Sequence, residues 1–325
     1  MEGADALAAV DCGTNSTRLL IVDGAGAVRA REMHITRLGE GVDCAHHLQP
    51  EAVARTLDVL RAYRSVMDQQ HVTRARLVAT SAVRDATDGE RFLRSSGDII
   101  GFDAELLSGE EEGRLSYQGA TQGMTDDGRT TVVLDIGGGS TELVVKPGEA
   151  VRSVSMDIGC VRLTERFLRR DPPEQDEIAA AVAAVGAELD RAATAVPELG
   201  AIGTDDRLIG LAGTVSTLAM LELGLHSYDR DRIHHFRLTR PAVARWYRVL
   251  GAETIAQRAE RASLPEGRQD VIFGGALILD QVMERLHQQE CLVSESDILD
   301  GLVLSLGPVR TGSARGAGQA PAATT

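Results

Sequence analysis

Lysine is almost missing from this 325-residue chain: Lys146 is the only one, and arginine supplies the rest of the 34 basic residues. Against 48 Asp and Glu they leave a formal charge of −14. Nucleic acids and anionic membranes are held mainly through Lys and Arg, so a chain this acidic is not a general binder of either. Aromatic residues make up only 3%, too few for the stacking platforms that bind single strands. The four cysteines, Cys12, Cys44, Cys160 and Cys291, are far apart and form no C-x-x-C; reduced, mostly buried thiols are expected. The histidines include the pairs His46-His47 and His234-His235 but no H-E-x-x-H, which speaks against zinc. Long apolar runs are absent too. The most apolar stretch, Ile178–Val196, is broken by Glu188, Asp190 and Arg191 and fits an amphipathic or buried helix. The start, Met1-Glu2-Gly3-Ala4-Asp5, is acidic where a secretory signal is basic. A cytoplasmic protein is the expectation.

What is present suits two globular domains, at roughly 100–200 residues each. Residues 7–11, 17–22 and 27–35 read as strands joined by Gly-rich turns, and 51–70 as a helix. A short buried strand, 76–80, opens into a helix at Ser81. Ser108 followed by Glu110, Glu111 and Glu112 reads as an N-cap and an acidic first turn, leading into a helix through Tyr117. The pattern then recurs. Strands are expected at 130–135, 141–145 and 151–156, helices at 160–170 and 175–196, and a strand at 207–212 opening into a helix at 215–223. Helical patterns at 241–261 and 267–287 precede a strand near Cys291 and a last helix at 297–306. Residues 311–325, rich in Gly, Ala and Thr, are expected to be a disordered tail.

The recurrence extends to residue identity. Asp11-Cys-Gly-Thr-Asn-Ser-Thr-Arg-Leu-Leu-Ile-Val22 and Asp135-Ile-Gly-Gly-Gly-Ser-Thr-Glu-Leu-Val-Val-Lys146 coincide at five of twelve positions. Both are a strand ending in Asp, a small-residue turn, and a strand restarting at Ser-Thr. Duplicated halves place such loops face to face across a cleft, here between domains 1–122 and 123–310, with the final helix near 297–308 a candidate to complete the first. Turns of Gly, Ser and Thr expose backbone N–H groups to which an anion can approach closely. An Asp at each strand end repels phosphate, and makes sense with a Mg²⁺ ion between the two. There is no G-x-x-x-x-G-K-[ST] and no G-x-G-x-x-G, so P-loop and Rossmann sites are not supported.

These residues resemble the Ppx/GppA phosphatases, exopolyphosphatases and guanosine pentaphosphate phosphohydrolases of the sugar kinase/Hsp70/actin superfold. The likeness rests on Asp11-Cys-Gly-Thr-Asn-Ser-Thr-Arg, Ala79-Thr-Ser-Ala-Val-Arg-Asp-Ala, Leu107-Ser-Gly-Glu-Glu-Glu-Gly, Asp135-Ile-Gly-Gly-Gly-Ser-Thr-Glu-Leu and Asp157-Ile-Gly-Cys-Val-Arg-Leu-Thr-Glu. Weaker matches are Ala212-Gly-Thr, Gly267-Arg-Gln-Asp-Val-Ile and Asp300-Gly-Leu. D-x-G turns are shared with kinases of the superfold, whereas S-G-x-E-E together with D-I-G-G-G-S-T-E is specific. The resemblance is to the short form, without the extra C-terminal helical domain of long members. Asp300 stands where many members have Arg, so no phosphate contact is assigned to it.

The resemblance implies an α/β fold of two actin-like, ribonuclease H-like domains flanking a central cleft. It implies Glu112 as the group that orients and deprotonates the attacking water, with Glu111 the alternative. On the sequence alone both could be acids that merely stabilise a helix N-terminus. Asp135 and Glu142, with Asp11 opposite, are implied as carboxylates for Mg²⁺ (or Mn²⁺). Gly138, Gly139, Ser140 and Thr141, with Asn15, Ser16 and Thr17 across the cleft, would cradle successive phosphates, and Arg84 would bind one. Arg162, Arg166, Arg169 and Arg170 read as a solvated face, and Arg268 has similar standing. The implied activity is hydrolysis of the terminal phosphate of inorganic polyphosphate. The alternative is the 5′-phosphate of pppGpp, a nucleotide of the stringent response. A kinase of the same superfold and a non-catalytic polyphosphate or ppGpp sensor are further alternatives. A homodimer is expected, with neither nucleic acid nor membrane as partner.

Overall fold

The computed structural model describes residues 6–148 and 150–307, so the segment from Thr311 lies outside the described residues. Strand β1 (Ala6–Cys12) is buried along its whole length because both its faces are covered, which is why it reads as a nearly unbroken apolar run. Two antiparallel strands, β2 (Ser16–Val22) and β3 (Val28–Ile35), follow it through tight turns. The chain then crosses by the Pro50–Gln69 helix to β4 (Val72–Ala79), and by the Gly89–Ile100 helix to β5 (Ala104–Leu106). Both of these strands run parallel to β1, giving the order β3-β2-β1-β4-β5.

The second sheet holds β6 (Thr131–Ile136), β7 (Thr141–Val145), β8 (Arg152–Met156), β9 (Arg207–Leu211), β10 (Arg237–Thr239) and β11 (Glu290–Val293). Its order is β10-β11-β9-β6-β7-β8. Read from β8, it repeats the first sheet with the same senses: two antiparallel pairs, then two parallel ones. Among the described residues only β10 is additional. The fold is thus two actin-like α/β domains flanking a cleft, and the registers coincide as well. Asp11 lies opposite Arg18 across β1 and β2, and Asp135 lies opposite Glu142 across β6 and β7. The duplicated backbone carries opposite charge at one position of each pair.

Each sheet has its own apolar core. A third cluster joins the far end of the chain to the first sheet: Ile298, Leu299 and Leu302 of the last helix (Ile298–Ser305) pack on Leu7, Ala9, Leu20 and Val78. Beside it runs the Gly109–Thr121 helix, whose N-cap Ser108 accepts from Glu111 N–H as the sequence suggested. The opposite face of that helix meets the second sheet, with Gly113 against Val144 and Ser153. It therefore lies in the seam between the domains. Among the described residues no helix is long and apolar enough to cross a membrane. Cys12, Cys160 and Cys291 are buried, Cys44 is exposed, and all are free thiols.

Some boundaries differ from expectation. The 241–261 pattern is two helices, Arg240–Ala252 and Ile255–Ala259, because Thr254 and Gln257 form a capping box that restarts the chain. The 267–287 pattern becomes helical only at Ile272, after a turn in which Gly267 has φ +82°. Strands β5 and β10, three residues each, are too short to show alternation.

Where the last helix crosses the Gly109–Thr121 helix, backbone touches backbone. A Cβ on Gly119 would lie 1.9 Å from the Asp297 carbonyl oxygen, and one on Gly301 2.0 Å from that of Leu115. Elsewhere in a helix, Gly→Ala gains up to about 1 kcal/mol. Here Gly301→Ala is expected to cost about 1–3 kcal/mol or more through overpacking. Urea denaturation measures it, and a gain in stability would contradict the crossing.

Candidate active site

The two Gly-rich turns have the same internal bond: Gly13 N–H donates to Ser16 O at 3.0 Å, and Gly137 N–H to Ser140 O at 3.0 Å. They meet across the cleft. A Cβ on Gly138 would come within 2.9 Å of the Thr14 side chain, so glycine is required by this close approach. Thr14 Oγ1 is also hydrogen-bonded to Ser81 Oγ at 2.8 Å. Between the turns lies a cavity whose wall includes Asp11, Arg18, Glu112, Asp135 and Arg268.

Four carboxylates converge here, and the fold buries all of them. Glu112 comes from the first turn of the Gly109–Thr121 helix. Among the described residues its Oε2 is buried with no hydrogen-bond partner, the nearest cation being Arg84 Nη1 at 3.7 Å. Burial, followed by the charges of Glu142, Asp135 and Asp11, raises its pKa well above the ordinary carboxylate range; Arg84 only partly offsets this. Asp135 Oδ2 accepts from Ser116 Oγ at 2.8 Å, yet burial pushes its pKa up to about 6. Glu142 lies behind its turn, accepting from Ser155 Oγ at 2.8 Å, and burial together with Asp135 pushes its pKa up to about 7. Asp11 is also raised by burial, although its Oδ2 accepts from Arg18 at 2.6 Å; its Oδ1 has no partner among the described residues.

A sequence model of the Ppx/GppA phosphatase family matches residues 20–308. The chain belongs to the Ppx/GppA phosphatase family. It is 42% identical over 316 residues to Exopolyphosphatase 2 of Mycobacterium tuberculosis, a match covering 92% of this chain and 98% of that one. The crystal structure of an exopolyphosphatase-like protein matches with TM-score 0.87 and 36% identity, covering 93% of this chain and 98% of the other. The Aquifex aeolicus PPX-GPPA enzyme matches with TM-score 0.76 and 31% identity, covering 93% and 99%.

In this Ppx/GppA chain the expected site residues divide into three groups. Asp11, Asn15, Ser16, Glu112, Asp135, Gly138 and Ser140 line the cavity. Asn15 Nδ2 is a buried donor without a partner among the described residues. Thr17, Gly139, Thr141, Glu142 and Arg84 support it from behind. Thr17 Oγ1 bonds to Thr36 Oγ1 at 2.9 Å, Gly139 packs on Ser81, and Arg84 Nη1 donates to Leu107 O at 2.9 Å. Glu111 is not brought in. Its carboxylate is half-exposed and pairs with Arg76 at 3.3 Å and Arg114 at 3.8 Å, because adjacent residues of a helix point about 100° apart.

Sequence reasoning passed over Arg18, although the repeat alignment sets it against Glu142. It is the central cation, bonded to Asp11 and Asp297. Arg268 is not a solvated residue: it is 6% exposed, packs its guanidinium on Gly213, and among the described residues has only Met33 Sδ, at 3.7 Å, as hydrogen-bond acceptor. Nor do Arg162 and Arg166 form a solvated face. Arg162 is 8% exposed and pairs with Asp43 and Asp85 of the first domain, and Arg166 pairs with Asp43. Asp300 binds Arg31 and caps the last helix. No signal local to these arginines distinguishes paired from free; the partners come from distant segments.

Among the described residues no three metal-ligating side chains converge into a ready-made cage. The orphaned Asp11 Oδ1 and the excess of buried negative charge nevertheless suit Mg²⁺, which is commonly held by one or two carboxylates with substrate oxygens completing its shell.

Between the ordinary pH 4.5 and about pH 7, Glu142 binds a proton in the folded state that the unfolded chain has lost. Its contribution therefore makes stability fall as pH rises through that window. In chelator, Glu142→Gln is expected to flatten the decline of melting temperature between pH 4.5 and 7. An unaltered slope would remove Glu142 as its source.

Proposed function

We propose that this protein is an exopolyphosphatase that hydrolyses the terminal phosphate of inorganic polyphosphate and releases orthophosphate. The observation that carries the reading is Glu112: a buried carboxylate with an unpartnered oxygen, in the wall between two anion-binding turns. The turn amides and the Asn15 amide hold the terminal phosphates, Arg18 and Arg268 supply positive charge, and Glu112 receives the proton of the attacking water. Its raised pKa makes Glu112 a stronger base than an exposed carboxylate, and it acts once deprotonated. Mg²⁺, held by Asp11 or Asp135 with substrate oxygens, would offset the charge developing on the transferred phosphoryl group. The likeness to Exopolyphosphatase 2 supports the same substrate class.

The same chemistry on pppGpp is the second reading. It is favoured by a partly apolar cavity that adjoins the first and could admit a nucleoside. An orphaned buried carboxylate speaks against a mere sensor, since burying it without a catalytic use is only a cost.

The test is orthophosphate release from polyphosphate and pppGpp, with Mg²⁺ or with chelator. Glu112→Gln is expected to lower kcat by about 10²–10⁴-fold. Wild-type kcat/KM should rise with pH as Glu112 ionises. No release from either substrate would refute the hydrolase reading; full activity in Glu112→Gln would refute the assigned base.

A further inference from the structure

The first cavity shares Arg18, Met33, Gly213 and Arg268 with a second one, of about 420 Å³, on the side of the last helix. A chain passing Arg268 enters it. Arginines of this acidic protein are commonly neutralised by nearby carboxylates, as Arg31 is by Asp300 at 2.7 Å. Arg230, in the wall of the second cavity, is different. Among the described residues it has no carboxylate partner; its Nη2 donates only to Ser296 Oγ at 3.3 Å, and its Nε is buried and unpartnered. The Nε of Arg31, in the same wall, is likewise buried and unpartnered. Glu295 also lines the cavity but does not pair with Arg230: its carboxylate takes the hydroxyls of Ser216 and Tyr228.

A buried donor on a cation is costly to leave unsatisfied, and arginine is the side chain best matched to phosphate. From Arg230 and Arg31 we infer that the second cavity is a subsite for a phosphate of the substrate distal to the one hydrolysed. This rests on the phosphohydrolase reading of the first cavity. Two sources supply such a group: a later unit of a polyphosphate chain, or the 3′-diphosphate of pppGpp.

The test compares kcat/KM for tripolyphosphate, long-chain polyphosphate, GTP and pppGpp in wild type, Arg230→Gln and Arg230→Lys, each checked for an unchanged melting temperature. With Arg230→Gln, kcat/KM should fall roughly tenfold more on the substrate that reaches the subsite than on its shorter counterpart, the loss of one charge-assisted contact. The change should lie in KM, and Arg230→Lys should restore part of it. A selective fall on long chains relative to tripolyphosphate identifies the chain. A selective fall on pppGpp relative to GTP identifies the 3′-diphosphate. Equal loss on all four, no loss on any, or equal loss on GTP and pppGpp alone would overturn the subsite. If wild type hydrolyses none of the four, the phosphohydrolase reading fails by itself. Calorimetric binding of long-chain polyphosphate and of pppGpp to wild type and Arg230→Gln then still decides the inference: weaker binding of either in the variant supports the subsite, and equal binding of both refutes it.

Discussion

Burial of the four carboxylates of Asp11, Glu112, Asp135 and Glu142 in one region is the constraint around which this molecule is organised. Burial raises the proton affinity of all four, neighbouring carboxylates add to it, and their ionised forms cost stability unless something opposes them. Arg18 is the main internal answer, held between Asp11 and Asp297. The hydroxyls of Ser116 and Ser155 donate to Asp135 and Glu142 respectively. The compensation is incomplete: among the described residues Asp11 Oδ1 and Glu112 Oε2 remain without hydrogen-bond partners, which leaves an excess of negative charge buried in the cleft. The net charge of −14 argues against a broad polyanion-binding surface, and it is compatible with a phosphate substrate because the opposing charge is local.

Holding such a site requires two domains fixed against each other. The Gly109–Thr121 helix carries Glu112 and lies between the sheets, while the last helix, packed on the first sheet, crosses it at Gly119 and Gly301. On another side of the cleft, Arg162 and Arg166 reach Asp43 and Asp85, and Arg37 reaches Asp270 at 2.8 Å. Thus arginines that look dispersed along the sequence act as ties between the halves. Turn contacts at Gly138 and Thr14 complete the closure, and set the spacing of the backbone amides.

Much of this was legible before folding. Most strands beside the turns show their apolar runs, and the aligned Asp11 and Asp135 segments predicted the repeated hairpin. Ser108 capping its helix, and Glu112 following in the first turn, came from short-range spacing that a helix preserves. Glu111 against Glu112 was not decidable in this way. Both are first-turn acids, and what separates them is which side of the helix meets the cleft. The short strands β5 and β10 carry no periodicity, and the break at Thr254 appears only if the capping box is preferred to a continuous apolar pattern.

The duplicated α/β architecture, the paired Gly-rich turns and the carboxylates beside them can be read from the chain before it folds, because hydrophobic period, capping and small-residue turns are local properties. Which cations face them depends on how distant segments pack. Arg18 is adjacent in register to Asp11 but owes its second partner, Asp297, to the far end of the chain. Arg268 and Arg230 face the cavities without a carboxylate partner among the described residues, an arrangement set by distant segments closing around them. Charge pairing between remote residues depends on distances that no local pattern encodes, so the electrostatics of the site emerged only with the fold.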